Sequence, residues 1–318
     1  MSEDKRALFK AWLQNGEARL HPLTFSQREL WETSPASPAD VSNHICCFIN
    51  VRGRLSEQDG IASMQRVVER QEVLRASILP GKNGPLQLVR SSAEPAVLFR
   101  DVAPDTSPAQ IEEFARQTFS EPFDLVTGPL YRVEIIRRGA DDQTMVFAIH
   151  HAIADGWSLG VLVQDLAAAY LMQRKGAGNR LPPVPTSYSA WGATERELWP
   201  RPELQSRTEF WKSRLAGTRR LWTIPDGSGI AHVPRRLVCE FPADLTAEVR
   251  ELARRNRATL FSTLLGAFQL TLSRWTGASD IVVGTPVANR TRPDVRETMG
   301  YFSGIVPLRG EVELNRPF

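Results

Sequence analysis

The run Ala148-Ile149-His150-His151-Ala152-Ile153-Ala154-Asp155-Gly156-Trp157-Ser158, near the middle of the chain, constrains the fold more than any other stretch. Residues 144–149 before it are apolar and partly β-branched, bounded by Ala140-Asp141-Asp142, and predict a buried strand. After it, Leu159, Leu162, Val163, Leu166, Ala169 and Tyr170 recur at helical spacing. They predict an amphipathic helix that runs out at Gly176-Ala177-Gly178. A strand must therefore feed a helix through an Asp-Gly turn. Such a junction can hold a polar group rigidly and still open it to a substrate.

Successive side chains on a strand point to opposite faces. His150 is then expected on the face of Val146 and Ala148, and His151 on that of Met145, Phe147 and Ile149. The two imidazoles cannot easily converge on one ligand, and no further His or Cys stands at metal-ligand spacing, so no metal site is expected. One histidine should face a site while the other supports the strand end. A neutral imidazole near pH 7 is the most available general base. Asp155 can hold the turn or pair with a distant Arg. Gly156 lets another molecule approach the backbone, and its N–H near a helix start would favour an oxyanion. The structural alternative is a strand that ends in two hydrogen-bonded histidines, with Asp155 doing no more than capping the next helix.

The rest of the chain supplies partners for this junction. Helices are expected at 3–14, from Ser26 (as cap) through Leu30 and Trp31, from Ser56 with Ile61, Met64, Val67 and Val68 on one face, and at 108–119. Strands are expected at 43–51, 74–79, 85–89 and 130–137, the last pairing antiparallel with 144–149. Pro35 and Pro38 mark a loop, and Leu181-Pro182-Pro183-Val184-Pro185 a linker between domains. Beyond it, helices are expected at 207–215, 243–256 and 260–275, the last with Phe261, Leu264, Leu265, Phe268, Leu272 and Trp275 as a buried stripe. Strands are expected at 236–241, 281–284 and 305–308. Mixed α/β (α+β) lobes on either side of the linker, residues 1–180 and 181–318, follow from this order.

With 318 residues, 42% hydrophobic and 24% charged, the chain has room for sizeable cores. A net charge of +3 without a dense Lys/Arg run gives no reason to expect nucleic acid as a partner. No apolar run reaches membrane-span length and no signal core opens the chain, so a cytoplasmic protein without a membrane partner is expected. Cys46, Cys47 and Cys239 form neither a disulfide framework nor a metal set, and adjacent Cys46 and Cys47 read as small core residues.

His150-His151-Ala152-Ile153-Ala154-Asp155-Gly156 with Trp157-Ser158 resembles the HHxxxDGxS signature of nonribosomal peptide synthetase condensation domains. Four other stretches match in the family's order. Residues 23–31 (LTFSQRELW) resemble its opening LSxAQxRLW, and residues 69–75 (ERQEVLR) its RHExLR block, with Gln71 in place of the His. Tyr188-Ser189-Ala190-Trp191 is similar to YxDYAxW. Residues 284–290 (GTPVANR), followed by Met299-Gly300-Tyr301-Phe302, resemble the late GxPxANR and IGxFVNT region.

The resemblance implies two chloramphenicol acetyltransferase-like lobes in a V, with a tunnel between them. Donor and acceptor would each arrive as a phosphopantetheine thioester on a peptidyl carrier protein, beside a neighbouring adenylation domain, with no cofactor bound directly. By motif position His151 is the catalytic candidate, as base or as the group that orients the amine. Gly156 offers an oxyanion donor, Asp155 is the structural acid with Arg290 as its partner, His150 supports the strand, and Trp157 and Ser158 are tunnel candidates. The family's Asn and Thr positions hold Gly304 and Ile305 here, so polar contacts expected there are absent. The family's second lobe continues well past Phe318, so this lobe is expected to be truncated, with exposed apolar surface and unpaired strand edges. The early position of the opening motif suits a starter domain that N-acylates the first amino acid, or a subunit that accepts a chain from another protein. An epimerization domain and a catalytically silent carrier-docking domain are the alternatives, and a free-amine acyltransferase is a further one.

Overall fold

The computed structural model describes residues 3–33, 41–219, 221 and 238–313. Backbone contacts divide the chain into two compact units: Met1–Pro200 with Ala288–Gly304, and Arg201–Val287 with Ile305–Phe318. The first carries the central junction.

The first unit opens with α1 (Glu3–Gln14), β1 (Ala18–Pro22) and α2 (Phe25–Thr33). Ser26 lies inside α2 and does not cap it. Thr24 does: its Oγ1 accepts from the Gln27 N–H at 3.2 Å, and its own N–H donates to Gln27 Oε1 at 3.1 Å. This reciprocal pair satisfies two otherwise unpaired donors. Then come β2 (His44–Arg52) and α3 (Glu57–Arg70), capped by Ser56, whose side chain accepts from the Asp59 N–H. The face of α3 that is buried is Gly60, Ser63, Met64, Val67 and Val68, whereas Ile61 is exposed. The strand expected from residue 74 begins only at β3 (Ala76–Leu79). Before it, Glu72–Arg75 form a short 3₁₀ turn, held by Arg75, whose guanidinium donates to the carbonyls of Val68, Glu69 and Arg90.

β4 (Leu86–Arg90), β5 (Val97–Asp101), α4 (Pro108–Ser120), β6 (Tyr131–Arg137) and β7 (Asp142–His150) follow, then α5 (Gly156–Lys175) and α6 (Tyr188–Leu198). Two sheets result, ordered β1-β4-β3 and β2-β7-β6-β5. In the larger, β7 lies antiparallel to both β2 and β6, and β5 adds parallel to β6. Both faces of β7 are covered, which explains its continuous apolar run. Phe147 and Ile149 join Val133 and Ile135 in a core with Met64, Val67 and Val68 of α3 and Val161, Leu162 and Leu166 of α5. Val146, on the other face, packs with Ile136 against Ile111 and Ala115 of α4.

Cys46 and Cys47 divide between these layers, both half-buried. Burial, with a smaller contribution from Cys47, pushes the Cys46 thiol up to about 11, far from a reactive thiolate. Helix α5 ends on Gly176 at φ 60°, the left-handed cap glycine supplies readily. The proline-rich run at 181–185 contains no regular element and leads into α6. That helix is tied to the rest of the first unit where the Ser189 N–H donates to Glu72 Oε1 at 2.6 Å.

The second unit contains α7 (Pro202–Leu215), α8 (Ala243–Arg255), α9 (Leu260–Thr276) and the paired strands β8 (Asp280–Val287) and β9 (Gly304–Glu311). Arg309 braces it, with both guanidinium branches on Asp280 at 2.8 Å. Of the stripe expected on α9 only Leu272 is buried, and Leu265 is half-buried. Phe261, Leu264, Phe268 and Trp275 are exposed, Trp275 at 78%, and the buried residues are Thr263, Leu272 and Ser273. Periodicity shows that a helix has an apolar face but not that anything covers it. Of the strand expected at 236–241, residues 236 and 237 lie outside the described set, and 238–241 adopt no regular element. Pro35 and Pro38 also lie outside it.

Candidate active site

Strand β7 ends on His150, and residues 151–153 form a single 3₁₀ turn before α5. That turn separates the histidines. His150 is buried on the α4 side, facing its cross-strand partner His44 (ring centroids 5.9 Å) and Phe123 (6.3 Å). Its Nδ1 accepts from the Ala152 N–H at 3.1 Å, so it shapes the turn that follows. His151 is half-buried, and its ring meets Tyr301 at 4.5 Å and 63°. Its Nδ1 is buried and makes no hydrogen bond among the described residues.

Asp155 is 0% exposed. Its Oδ1 accepts from the Ser158 N–H and Oγ–H, both at 2.8 Å, and from Arg290 at 3.1 Å. Its Oδ2 accepts from the Phe302 N–H at 3.1 Å and Ser303 Oγ–H at 3.3 Å. One carboxylate thus caps α5 and holds the returning segment 288–304. Arg290 also donates to the carbonyls of Val295 (2.8 Å) and Thr298 (2.5 Å), and its guanidinium carbon lies 3.9 Å from the centroid of the Phe302 ring. Burial pushes this guanidinium down, opposed by the Asp155 charge and hydrogen bond. Arg290 Nε alone makes no hydrogen bond among the described residues. A buried ion pair depends on such partners, because either charge left unpaired would carry its full desolvation cost.

Ser158 is buried within the same cluster, where its Oγ lies 2.9 Å from the Gly300 carbonyl and accepts from the Gly300 N–H at 3.1 Å. It has no exposed surface to offer a substrate tunnel. Trp157, by contrast, is 46% exposed, with its indole N–H on the Arg296 carbonyl at 2.9 Å. Gly156 is exposed in the first turn of α5, with nothing within 4 Å of where a Cβ would stand. The backbone there is open to approach, and its N–H belongs to the first turn, whose donors lack intrahelical partners.

Several other residues of the quoted motifs acquire a role only in the folded chain. Gln71 is buried, and its amide donates to Asp165 (2.8 Å) and to the Glu297 carbonyl (2.9 Å) while its Oε1 accepts from the Met299 N–H (2.9 Å). Beside it Arg70 pairs with Asp165 and Glu297. Burial pushes the Asp165 carboxyl up, against the Gln71 hydrogen bond and the Arg70 charge. Tyr188 is fully buried; its hydroxyl donates to the Tyr301 carbonyl and lies 2.8 Å from Thr24 Oγ1. Burial drives that phenol far up, so it stays protonated. A Cβ on Gly300 would overlap the Tyr188 ring. Gly300→Ala is therefore expected to destabilise the fold by about 1–3 kcal/mol, the usual overpacking cost. An unchanged denaturant midpoint would contradict this reading of the packing.

Among the described residues no group of three His, Cys, Asp or Glu could hold a metal ion, and no helix is long and apolar enough to cross a membrane.

The chain belongs to the condensation-domain family, whose model matches residues 17–318. It is 30% identical over 301 residues to tyrocidine synthase 3 of Brevibacillus parabrevis, a match covering 92% of this chain and 4% of that protein. It is also 30% identical over 306 residues to phosphinothricin tripeptide synthetase PhsC of Streptomyces viridochromogenes, covering 93% of this chain and 28% of the relative. The chain thus spans a small part of these much longer proteins. Among solved structures, SgcC5 of Streptomyces globisporus matches with a TM-score of 0.76 at 26% identity, over 91% of this chain and 68% of that one. The first condensation domain of the calcium-dependent antibiotic synthetase matches in fold, with a TM-score of 0.80 at 19% identity, over 93% and 70%.

Proposed function

We propose that this condensation domain forms an amide bond by aminolysis of a carrier-bound thioester. The acceptor amine, on a second peptidyl carrier protein, attacks the donor thioester carbonyl. A C–N bond forms, the C–S bond breaks, and the donor carrier's phosphopantetheine thiol leaves with a proton. His151 holds or takes the proton of the attacking amine, and the Gly156 N–H receives the negative charge that develops on the carbonyl oxygen. The observation that carries this reading is a half-exposed imidazole joined by one turn to an exposed helix N-terminus, with Asp155 and Arg290 locking the turn from beneath.

A thioester is already activated, so the residues need only orient the amine, manage one proton and stabilise charge. In this reading the first compact unit is the N-terminal lobe, the second belongs to the C-terminal lobe, and an adenylation domain supplies the acceptor amino acid. Mixing the domain with acyl-loaded donor carrier and aminoacyl-loaded acceptor carrier should transfer the acyl group to the acceptor in one turnover, read by intact-protein mass spectrometry. Two loaded carriers returned unchanged would refute the assignment. An acceptor α-proton exchanging with solvent without transfer would point to epimerization instead.

A further inference from the structure

We infer that Tyr301 is the positioning residue of His151, and that the buried network under the junction acts on the reaction by aiming this phenol ring. A histidine used as a base is normally oriented by the hydrogen bond its second nitrogen makes. For His151 the described residues supply no such bond: Nδ1 is buried and makes no hydrogen bond among them. Packing supplies a restraint of its own, and the ring packed on the imidazole is Tyr301, edge to face at 4.5 Å.

The backbone that carries Tyr301 is fixed at four consecutive residues. The Met299 N–H donates to Gln71 (2.9 Å), the Gly300 N–H to Ser158 Oγ (3.1 Å), and the Phe302 N–H to Asp155 Oδ2 (3.1 Å), while the Tyr301 carbonyl accepts from the Tyr188 hydroxyl (2.8 Å). Gln71 just past α3, Ser158 of α5 and Tyr188 of α6, together with the α5 cap, therefore converge on one short stretch whose tyrosine side chain touches the imidazole. Burial, then Glu29 and Asp155, push the Tyr301 phenol up, so the ring facing His151 stays neutral. This arrangement gives the buried Gln71, Ser158 and Tyr188 a common consequence for the position of the Tyr301 ring.

The inference rests on the proposed aminolysis, and the test separates the two. Tyr301→Phe, Tyr301→Leu and Tyr301→Ala are compared in the full chain by single-turnover transfer and by proton–carbon NMR of the five histidines, with His151→Ala assigning its resonance. Tyr301→Phe should keep the His151 resonance and a rate within about threefold of the parent. Tyr301→Ala should shift and broaden that resonance and lower kcat about 10²-fold, the loss expected when a reacting group is misplaced by an ångström, with KM little changed. Tyr301→Leu keeps most of the volume and guards against failure of the Ala variant to fold; it too should lose rate. An unmoved His151 resonance in the Leu or Ala variant overturns the inference whatever the activity. So does a moved resonance with parental kcat. If His151→Ala leaves transfer unchanged, the catalytic reading fails, and the NMR comparison still shows whether Tyr301 orients the ring.

Discussion

Asp155→Ala should cost the first unit about 3–5 kcal/mol, because it leaves Arg290 buried without its counter-charge. The side chains of Arg290 and Asp155 are 1% and 0% exposed, so neither can turn to water when the other is lost. The substitution also removes the cap of α5 and strands the Phe302 N–H, itself a buried donor that must be paired. Denaturant unfolding of the variant against the parent checks the figure. Arg290→Met should lose stability by a similar route, since it strands the carboxylate. The double variant Asp155→Ala/Arg290→Met should lose less than the sum of the two, because no unpaired charge remains. Additive losses, or a parental midpoint for Asp155→Ala, would mean that the pair is not the brace its geometry indicates.

What the sequence could reveal about this region depended on how local each determinant is. The strand-turn-helix at 142–175 was legible because period 2 and period 3.6 are written in adjacent residues, and Gly176 closes the helix in its own backbone conformation. β1 and β5 were not: each is five residues long, with Arg19 and His21 in one and a mixed burial pattern in the other. α6 escaped because its recognised feature was a motif and its helical face is short. The ion pair between Asp155 and Arg290 joins residues 135 positions apart and was suggested by motif resemblance alone.

The partners of the returning segment were out of reach for a related reason. Gln71 meets Met299 across 228 positions, and a lone Gln within a helix-to-turn passage carries no signal of what it will bond. Tyr301 is the same case. It stands within the motif stretch Met299-Gly300-Tyr301-Phe302, but its proximity to His151 exists only after α3, α5 and α6 have placed the segment. The exposed face of α9 shows the reverse error, where a strong local pattern promised burial that depends on something outside the helix.

The largest effect on activity should come from His151→Ala. On the proposed mechanism His151 handles the proton of the attacking amine, and general-base assistance of that kind is worth about 10²–10⁴-fold. The loss should appear in the single-turnover rate and leave carrier binding measurable. The imidazole is half-buried, its Nδ1 makes no hydrogen bond among the described residues, and the α5 cap and the Arg290 pair belong to other side chains. The fold should therefore tolerate the change far better than it tolerates Asp155→Ala. His150→Ala should behave in the opposite sense, because His150 is packed among His44 and Phe123 and bonds the Ala152 N–H that starts the turn. Its loss should appear first as lowered stability, with activity falling because His151 is no longer held. Equal rates for His151→Ala and the parent under single-turnover conditions would remove His151 from the chemistry and leave thioester aminolysis, if it occurs at all, to orientation and to the Gly156 N–H.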